Sequence, residues 1–150
     1  MLTAVSQSLW WYKYSLSDET GREIAVVEIN WGESGRVTIG GEAIEIMRVG
    51  LTGPWQAWAG SEIVASIIKP SFLSRELEID FNGARYQFMP HYLCFTYDCY
   101  RDSRPIGTMK RRSFFGGDMS IDLPGDLPLK FLAIATWAVL LMWRRASQSS

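Results

Sequence analysis

Apolar and polar residues alternate with a period of two through most of this chain of 150 residues, and Gly, Asn, Asp, Ser or Pro interrupts the alternation at short intervals. The runs that carry the pattern are Leu9–Leu16, Glu23–Asn30, Val37–Ile39, Ala43–Val49, Trp55–Ala59, Ile63–Lys69, Glu76–Phe81, Ala84–Met89, Tyr92–Tyr100, Pro105–Arg111 and Asp118–Leu123. Short alternating runs with regular turn signals between them predict an all-β sandwich or barrel. One stretch departs from the period. Between Phe131 and Trp143 the only residue that is not apolar is Thr136, which predicts a helix that is apolar on every face. Asp126 is a suitable N-cap, Pro128 fits a first turn where its missing N–H costs little, and Arg144 and Arg145 suit the negative end of the helix dipole. A helix over about residues 126–145 is expected, with the Thr136 hydroxyl returned to a backbone carbonyl one turn earlier.

Such a helix belongs either in a bilayer or inside protein. At 1.5 Å per residue the run from Phe131 to Trp143 is roughly 20 Å long, against a hydrocarbon core of about 30 Å. Extending it backwards brings in Lys130, and a tail anchor would then need a snorkelling lysine and a thinned bilayer. The rest of the chain offers a wrapper, since about a dozen strands can curl into a barrel whose lumen holds a helix. The expected fold is therefore mainly β, an approximately twelve-stranded β-barrel enclosing a hydrophobic C-terminal α-helix. At this length the chain reads as one domain over residues 1–150.

An internal repeat supports the strand reading. Laid over Gly83–Asp122 without a gap, Gly41–Asp80 matches Gly41 with Gly83, Met47 with Met89, Leu51 with Leu93, Ser71 and Phe72 with Ser113 and Phe114, and Ile79 and Asp80 with Ile121 and Asp122. Trp55 and Trp58 face Tyr97 and Tyr100. A duplicated β-meander follows.

Composition narrows the function. Aromatic residues make up 13% of the chain, in keeping with half-buried strands. The net charge of −1 gives no surplus with which to neutralise nucleic-acid phosphates, so no nucleic-acid partner is expected. Met1–Tyr14 lacks the cationic start and apolar core of a secretory signal, and a cytoplasmic protein is expected. Cys94 and Cys99 lie five apart in one strand-like run, on opposite faces, and are read as free thiols packed as small hydrophobes. His91 is the only histidine. It and Cys94 fall on opposite faces of a regular strand, so no nucleophile–base pair is evident and no enzyme activity is expected. Two cysteines and one histidine do not make a four-ligand zinc site, and neither metal nor cofactor is expected.

The charge is uneven along the chain. In "MKRRSFF", Met109–Phe115, Lys110, Arg111 and Arg112 follow one another, with Arg101 and Arg104 a short hairpin away. These five cations are the candidate anion site, and Phe114 and Phe115 beside them read as an interfacial wedge. In the repeat, Phe114 and Phe115 align with Phe72 and Leu73, which argues for core. The basic run aligns with Ile68, Lys69 and Pro70, so its charge is not demanded by the fold.

"DMSIDLPGDLPLKFLAIATWAVLLMWRR", Asp118–Arg145, resembles the closing strand and central helix of the tubby C-terminal-like superfamily, which includes phospholipid scramblases and LURP-one-related proteins. The preceding "RPIGTMKRRSFFGGD", Arg104–Asp118, is similar to that superfamily's strand pair with its basic turn. The resemblance implies a barrel of about twelve strands around a buried helix. For function it implies phosphoinositide headgroup binding of the tubby type, or the calcium-dependent lipid movement associated with scramblases. Here Asp118, Asp122 and Asp126 are present, but Pro128 stands where scramblases tend to carry another acidic residue. The stretch also lacks the alternate oxygen ligands and closing Glu of a calcium loop. The expectation is a non-catalytic binding domain for anionic phospholipid headgroups, peripheral at a membrane surface. A structural or regulatory domain with a protein partner is the alternative, and a tail-anchored membrane protein a third reading.

Overall fold

The computed structural model describes residues 1–7, 12–70, 74–91, 96–111 and 118–148. Twelve strands close into an antiparallel barrel: β1 (Leu2–Ser6), β2 (Lys13–Ser17), β3 (Glu23–Ile29), β4 (Gly35–Ile39), β5 (Glu42–Arg48), β6 (Trp55–Ala59), β7 (Glu62–Ile68), β8 (Leu77–Phe81), β9 (Ala84–Pro90), β10 (Thr96–Arg101), β11 (Arg104–Arg111) and β12 (Met119–Asp122). Each strand pairs with its neighbours in sequence, and β1 seals the ring against β12 through Leu2↔Ile121, Thr3↔Ser120 and Ala4↔Met119. Period-two alternation sends one set of side chains inward: Ala25, Val27 and Ile29 from β3, Ile44 and Ile46 from β5, Leu77, Ile79 and Phe81 from β8, all buried. The strand β1 was not among the runs expected from the sequence. Of its residues only Ala4 is fully buried, and its closing partner is the far end of the chain, so local periodicity had little to show.

The helix α1 spans Leu129–Gln148 and lies in the lumen, with every residue from Phe131 to Trp143 buried. No helix among the described residues is long and apolar enough to cross a membrane. The aliphatic and aromatic side chains of α1 replace the layers that would otherwise fill a barrel, and each large one contributes about 1.5–3 kcal/mol by leaving water. Phe131 nests among Phe81, Tyr86 and Phe88, at ring-centroid distances of 5.7, 4.1 and 6.3 Å. Thr136 Oγ1 donates to the Leu132 carbonyl at 2.7 Å, the return bond expected. Helix boundaries differ from expectation. The first turn begins beyond Pro128, whose carbonyl accepts from Leu132 N at 3.1 Å, and Asp126 sits in the preceding turn closed by Leu127 N to Pro124 O at 3.2 Å. Asp126 therefore does not cap α1: the proline carbonyl starts the ladder, because proline can accept that bond while giving up nothing as a donor.

Trp137 fixes the position of α1. Its indole Nε1 donates to the Glu28 carbonyl on β3 at 2.9 Å. This is possible only because Gly35 faces it: a Cβ there would stand 2.1 Å from Glu28 O and 2.2 Å from Trp137 Nε1.

The repeat is visible in the strands and has a third copy. β5 (Glu42–Arg48) and β9 (Ala84–Pro90) are displaced by 42 residues, as are β4, β8 and β12 at their starts, Gly35, Leu77 and Met119. Val5, Met47 and Met89 occupy the same outward position in β1, β5 and β9, and all three are exposed. Trp55 Nε1 donates to Glu33 O at 3.0 Å, and Tyr97 OH to Arg75 O at 2.7 Å, the same bond one repeat later. The bulge at Ala57/Trp58 recurs at Cys99/Tyr100.

Candidate functional site

The up-and-down course of the strands gives the barrel two ends. One is closed by the two-residue turns at 40–41, 60–61, 82–83 and 102–103 and by the entry of α1 after β12. At the other, α1 leaves the lumen between longer connections such as 30–34 and 49–54. This second end is the mouth.

Inward parity, carried one position past the apolar core, brings charge to the mouth. In β5 the inner positions Ile44 and Ile46 are followed by Arg48; in β7, Ala65 and Ile67 by Lys69; in β11, Met109 by Arg111; ahead of Leu77 in β8 stands Arg75. Arg144 and Arg145 at the end of α1 join them. Glu33 organises one arc. It accepts from Arg145 Nε and from Arg145 Nη2 (2.6 Å), and from Arg48 Nη1 at 3.0 Å. The Arg48 and Arg145 guanidinium carbons lie 4.4 and 5.2 Å from the centre of the Trp55 ring, a stacked cation arrangement that an arginine makes better than a lysine. The Arg145 hydrogen bond holds the Glu33 carboxyl below the usual carboxylate range against the opposing effect of burial, with the charges of Arg145, Arg48 and Arg144 assisting. Lys69, whose Nζ donates to the Ser74 carbonyl, has its pKa lowered by burial first and then by Arg145, Arg75 and Arg48. Lys69 is thus within electrostatic reach of three arginines, with Glu76 opposing their effect.

A second arc lies across the mouth. Tyr14 of β2 is buried, and burial pushes its hydroxyl up to about 12, with Arg111 and Arg144 opposing the shift and Asp118 adding to it. Arg144 Nη2 donates to Asn30 O at 2.9 Å, and burial lowers its pKa. Arg144 Nε and Ser74 Oγ are buried and have no hydrogen-bond partner among the described residues. An orphaned buried donor typically costs about 1–3 kcal/mol, so both atoms favour an arriving acceptor or donor.

The expected site residues are divided by this geometry. Arg101 and Arg104 pair across the turn at 102–103, at the closed end, where Arg101 lies 5.6 Å from the Tyr86 ring centre. Lys110 and Arg111 are at the other end of β11, Arg111 at the inner rim and Lys110 outward and exposed. The expected cluster is therefore not one patch: Arg101 and Arg104 stand a full strand length from Arg111. Arg112, Phe114 and Phe115 lie outside the described residues. Sequence reasoning missed Arg48, Lys69, Arg75, Arg144 and Arg145 as a group, although strand parity already placed the first three on the inner face.

Other expectations can be placed as well. His91 is exposed at the end of β9 with Nε2 2.7 Å from Asp98 Oδ2. Cys99 is a buried free thiol whose pKa burial pushes up, and Cys94 lies outside the described residues. No group of three or more His, Cys, Asp or Glu among the described residues could hold a metal ion. At the closed end a pocket of about 240 Å³ is lined by apolar side chains, including Leu2, Ile24, Leu123 and Leu127, with no converging charge. No family model, no curated protein and no solved structure matches this chain.

Proposed function

We propose that this protein is a non-catalytic binding module that recognises an anionic phospholipid headgroup at the mouth of its barrel and works at the membrane surface of the cytoplasm. The observation that carries the reading is the pairing of Arg48 and Arg145 on Glu33, with Lys69 within electrostatic reach of Arg145, Arg75 and Arg48, in a chain whose net charge is −1. Concentrating like charge in a half-buried rim is unfavourable for the isolated protein and becomes favourable when a phosphate completes it. Arg144 Nε and Ser74 Oγ are two further buried groups without a hydrogen-bond partner among the described residues. The resemblance of Asp118–Arg145 to tubby-like and scramblase-like proteins points the same way.

The test is sedimentation with vesicles of phosphatidylcholine alone and of phosphatidylcholine mixed with phosphatidylserine. Binding is expected only to the mixed vesicles and should weaken with salt, because the attraction is screened over about 10 Å at 0.1 M. With about 1 kcal/mol for each cation near the surface, the double variant Lys69→Gln, Arg75→Gln should bind at least tenfold more weakly. Arg101→Gln with Arg104→Gln, at the closed end, should bind as the parent does. Equal losses from both pairs, or no binding at low salt, would overturn the proposal and leave a protein partner as the better reading.

A further inference from the structure

Among the described residues, two apolar side chains at the mouth are almost fully exposed and take no part in its charge chemistry. Trp31 is 88% and Leu51 92% exposed, and Val49 beside Leu51 is also exposed. Both sit at the tips of loops on either side of a recess of about 460 Å³, with Glu33 and Arg48 on its wall. The tips are held out by design of the loops. Asn30 N donates to Ser34 O at 2.7 Å and Glu33 N to Asn30 O at 3.3 Å, closing the Trp31 turn, while Val49 N to Pro54 O at 2.8 Å closes the Leu51 loop. Arg48 ties one loop to the other, through Nε to Gly53 O at 3.1 Å and Nη1 to Glu33 Oε1 at 3.0 Å. Trp55 Nε1, bonded to Glu33 O, braces the same turn from below. These bonds hold the backbone of both loops in place.

We propose that Trp31 and Leu51 insert into the interfacial layer of an anionic bilayer, so that the barrel stands mouth-down with its axis along the membrane normal. This rests on the headgroup reading given above. An indole with one polar edge is suited to headgroup depth, and a leucine ahead of it to the acyl boundary. Contiguous apolar exposure beside cations marks a surface for a partner that is greasy and negative at once, and a bilayer rich in acidic lipid is both.

The experiment uses full-length Trp31→Ser, Leu51→Ser and the double variant with the mixed phosphatidylcholine–phosphatidylserine vesicles. Each exposed tip that is lost should lower vesicle affinity about tenfold and the pair about a hundredfold, scaled from the transfer of one large apolar side chain, with the melting temperature unchanged. Bromine on the lipid acyl chains should quench emission in the parent more than in Trp31→Phe. If the serine variants bind as the parent does while Lys69→Gln, Arg75→Gln is impaired, insertion is overturned and headgroup recognition stands. If the parent itself does not bind these vesicles, both fall. If light scattering shows the parent as a dimer that the serine variants dissolve, the tips serve a second copy of the chain and the proposal is likewise overturned.

Discussion

At one end of the barrel the strands are joined by two-residue turns, with acidic and basic side chains such as Glu42, Arg101, Asp102 and Arg104 mixed around them, and the innermost side chains remain apolar, with Leu123, Leu127 and Leu129 packed where the chain enters the lumen. At the other end the same strand parity continues past the core into Arg48, Lys69, Arg75 and Arg111. Both ends are made from the same repeating unit, so the fold alone does not account for the difference. The closed end is sealed by the start of α1. The mouth receives the end of α1, where carbonyls without helical partners make a region of negative potential and where Arg144 and Arg145 lie near the helix end. The lesson is that in a barrel with a helix as its core, the end where the helix leaves is the one free to carry chemistry.

That contrast can be broken most completely from the middle. Ala138 is buried in the centre of α1, and Ala138→Arg should cost several kcal/mol, of the order of the whole stability of a domain. Calorimetry should find no cooperative transition, and one as sharp as the parent's would mean that α1 can leave the lumen. Gly35→Ala acts on the seat of α1 against β3 and β4. Its methyl would meet Glu28 O and Trp137 Nε1 inside contact distance, so a loss of about 1–3 kcal/mol is expected. Gly125→Ala, at the closed end with nothing near its Cβ, should leave the melting temperature within a degree or two, on the order of 0.5 kcal/mol or less.

Alkaline titration sharpens the comparison further. The folded pKa of Tyr14 is raised, to about 12, above that of an unfolded tyrosine near 10. Between those values the unfolded chain has lost the proton and the folded one keeps it. The contribution of Tyr14 is therefore complete below about pH 10 and lost as pH rises towards 12, a drop of about 2–3 kcal/mol. Denaturant titrations of Tyr14→Phe should lack that drop. An acid titration reads the mouth through Glu33. Its folded pKa is below its ordinary value of 4.5, so its contribution is present above pH 4.5 and lost as pH falls through the folded value. Glu33→Gln should flatten the acid limb of the stability curve.

Much of this was legible from the residues. The period of two gave the strands from β2 onward, and the unbroken apolar run with Thr136 at its centre gave α1 and its place in the lumen. The third copy of the repeat was not legible, because at β2 the inward residues Tyr14 and Leu16 are one position out of step with Trp55 and Ala57. A gap-free comparison cannot cross that slip. The candidate site was misjudged for a different reason. Arg101, Arg104, Lys110 and Arg111 are close along the chain, but β11 is extended at about 3.3 Å per residue and carries its two ends apart. Arg48, Lys69 and Arg75 are scattered in sequence, and the curvature of the barrel gathers them.

The position of α1 also governs the order in which the molecule can be made. At roughly 5–20 residues per second, a ribosome delivers β1 to β12 before the 20 residues of α1, leaving an interval on the order of seconds. During it the hairpins can form, but β1 and β12 have nothing to close around. The nascent sheet presents its inner face, Val27, Ile46, Ile79 and the rest, to whatever is near. Release of the chain anywhere short of Phe131 would leave that face permanently uncovered, so a truncated product of this protein is an aggregating species from the moment it leaves the ribosome.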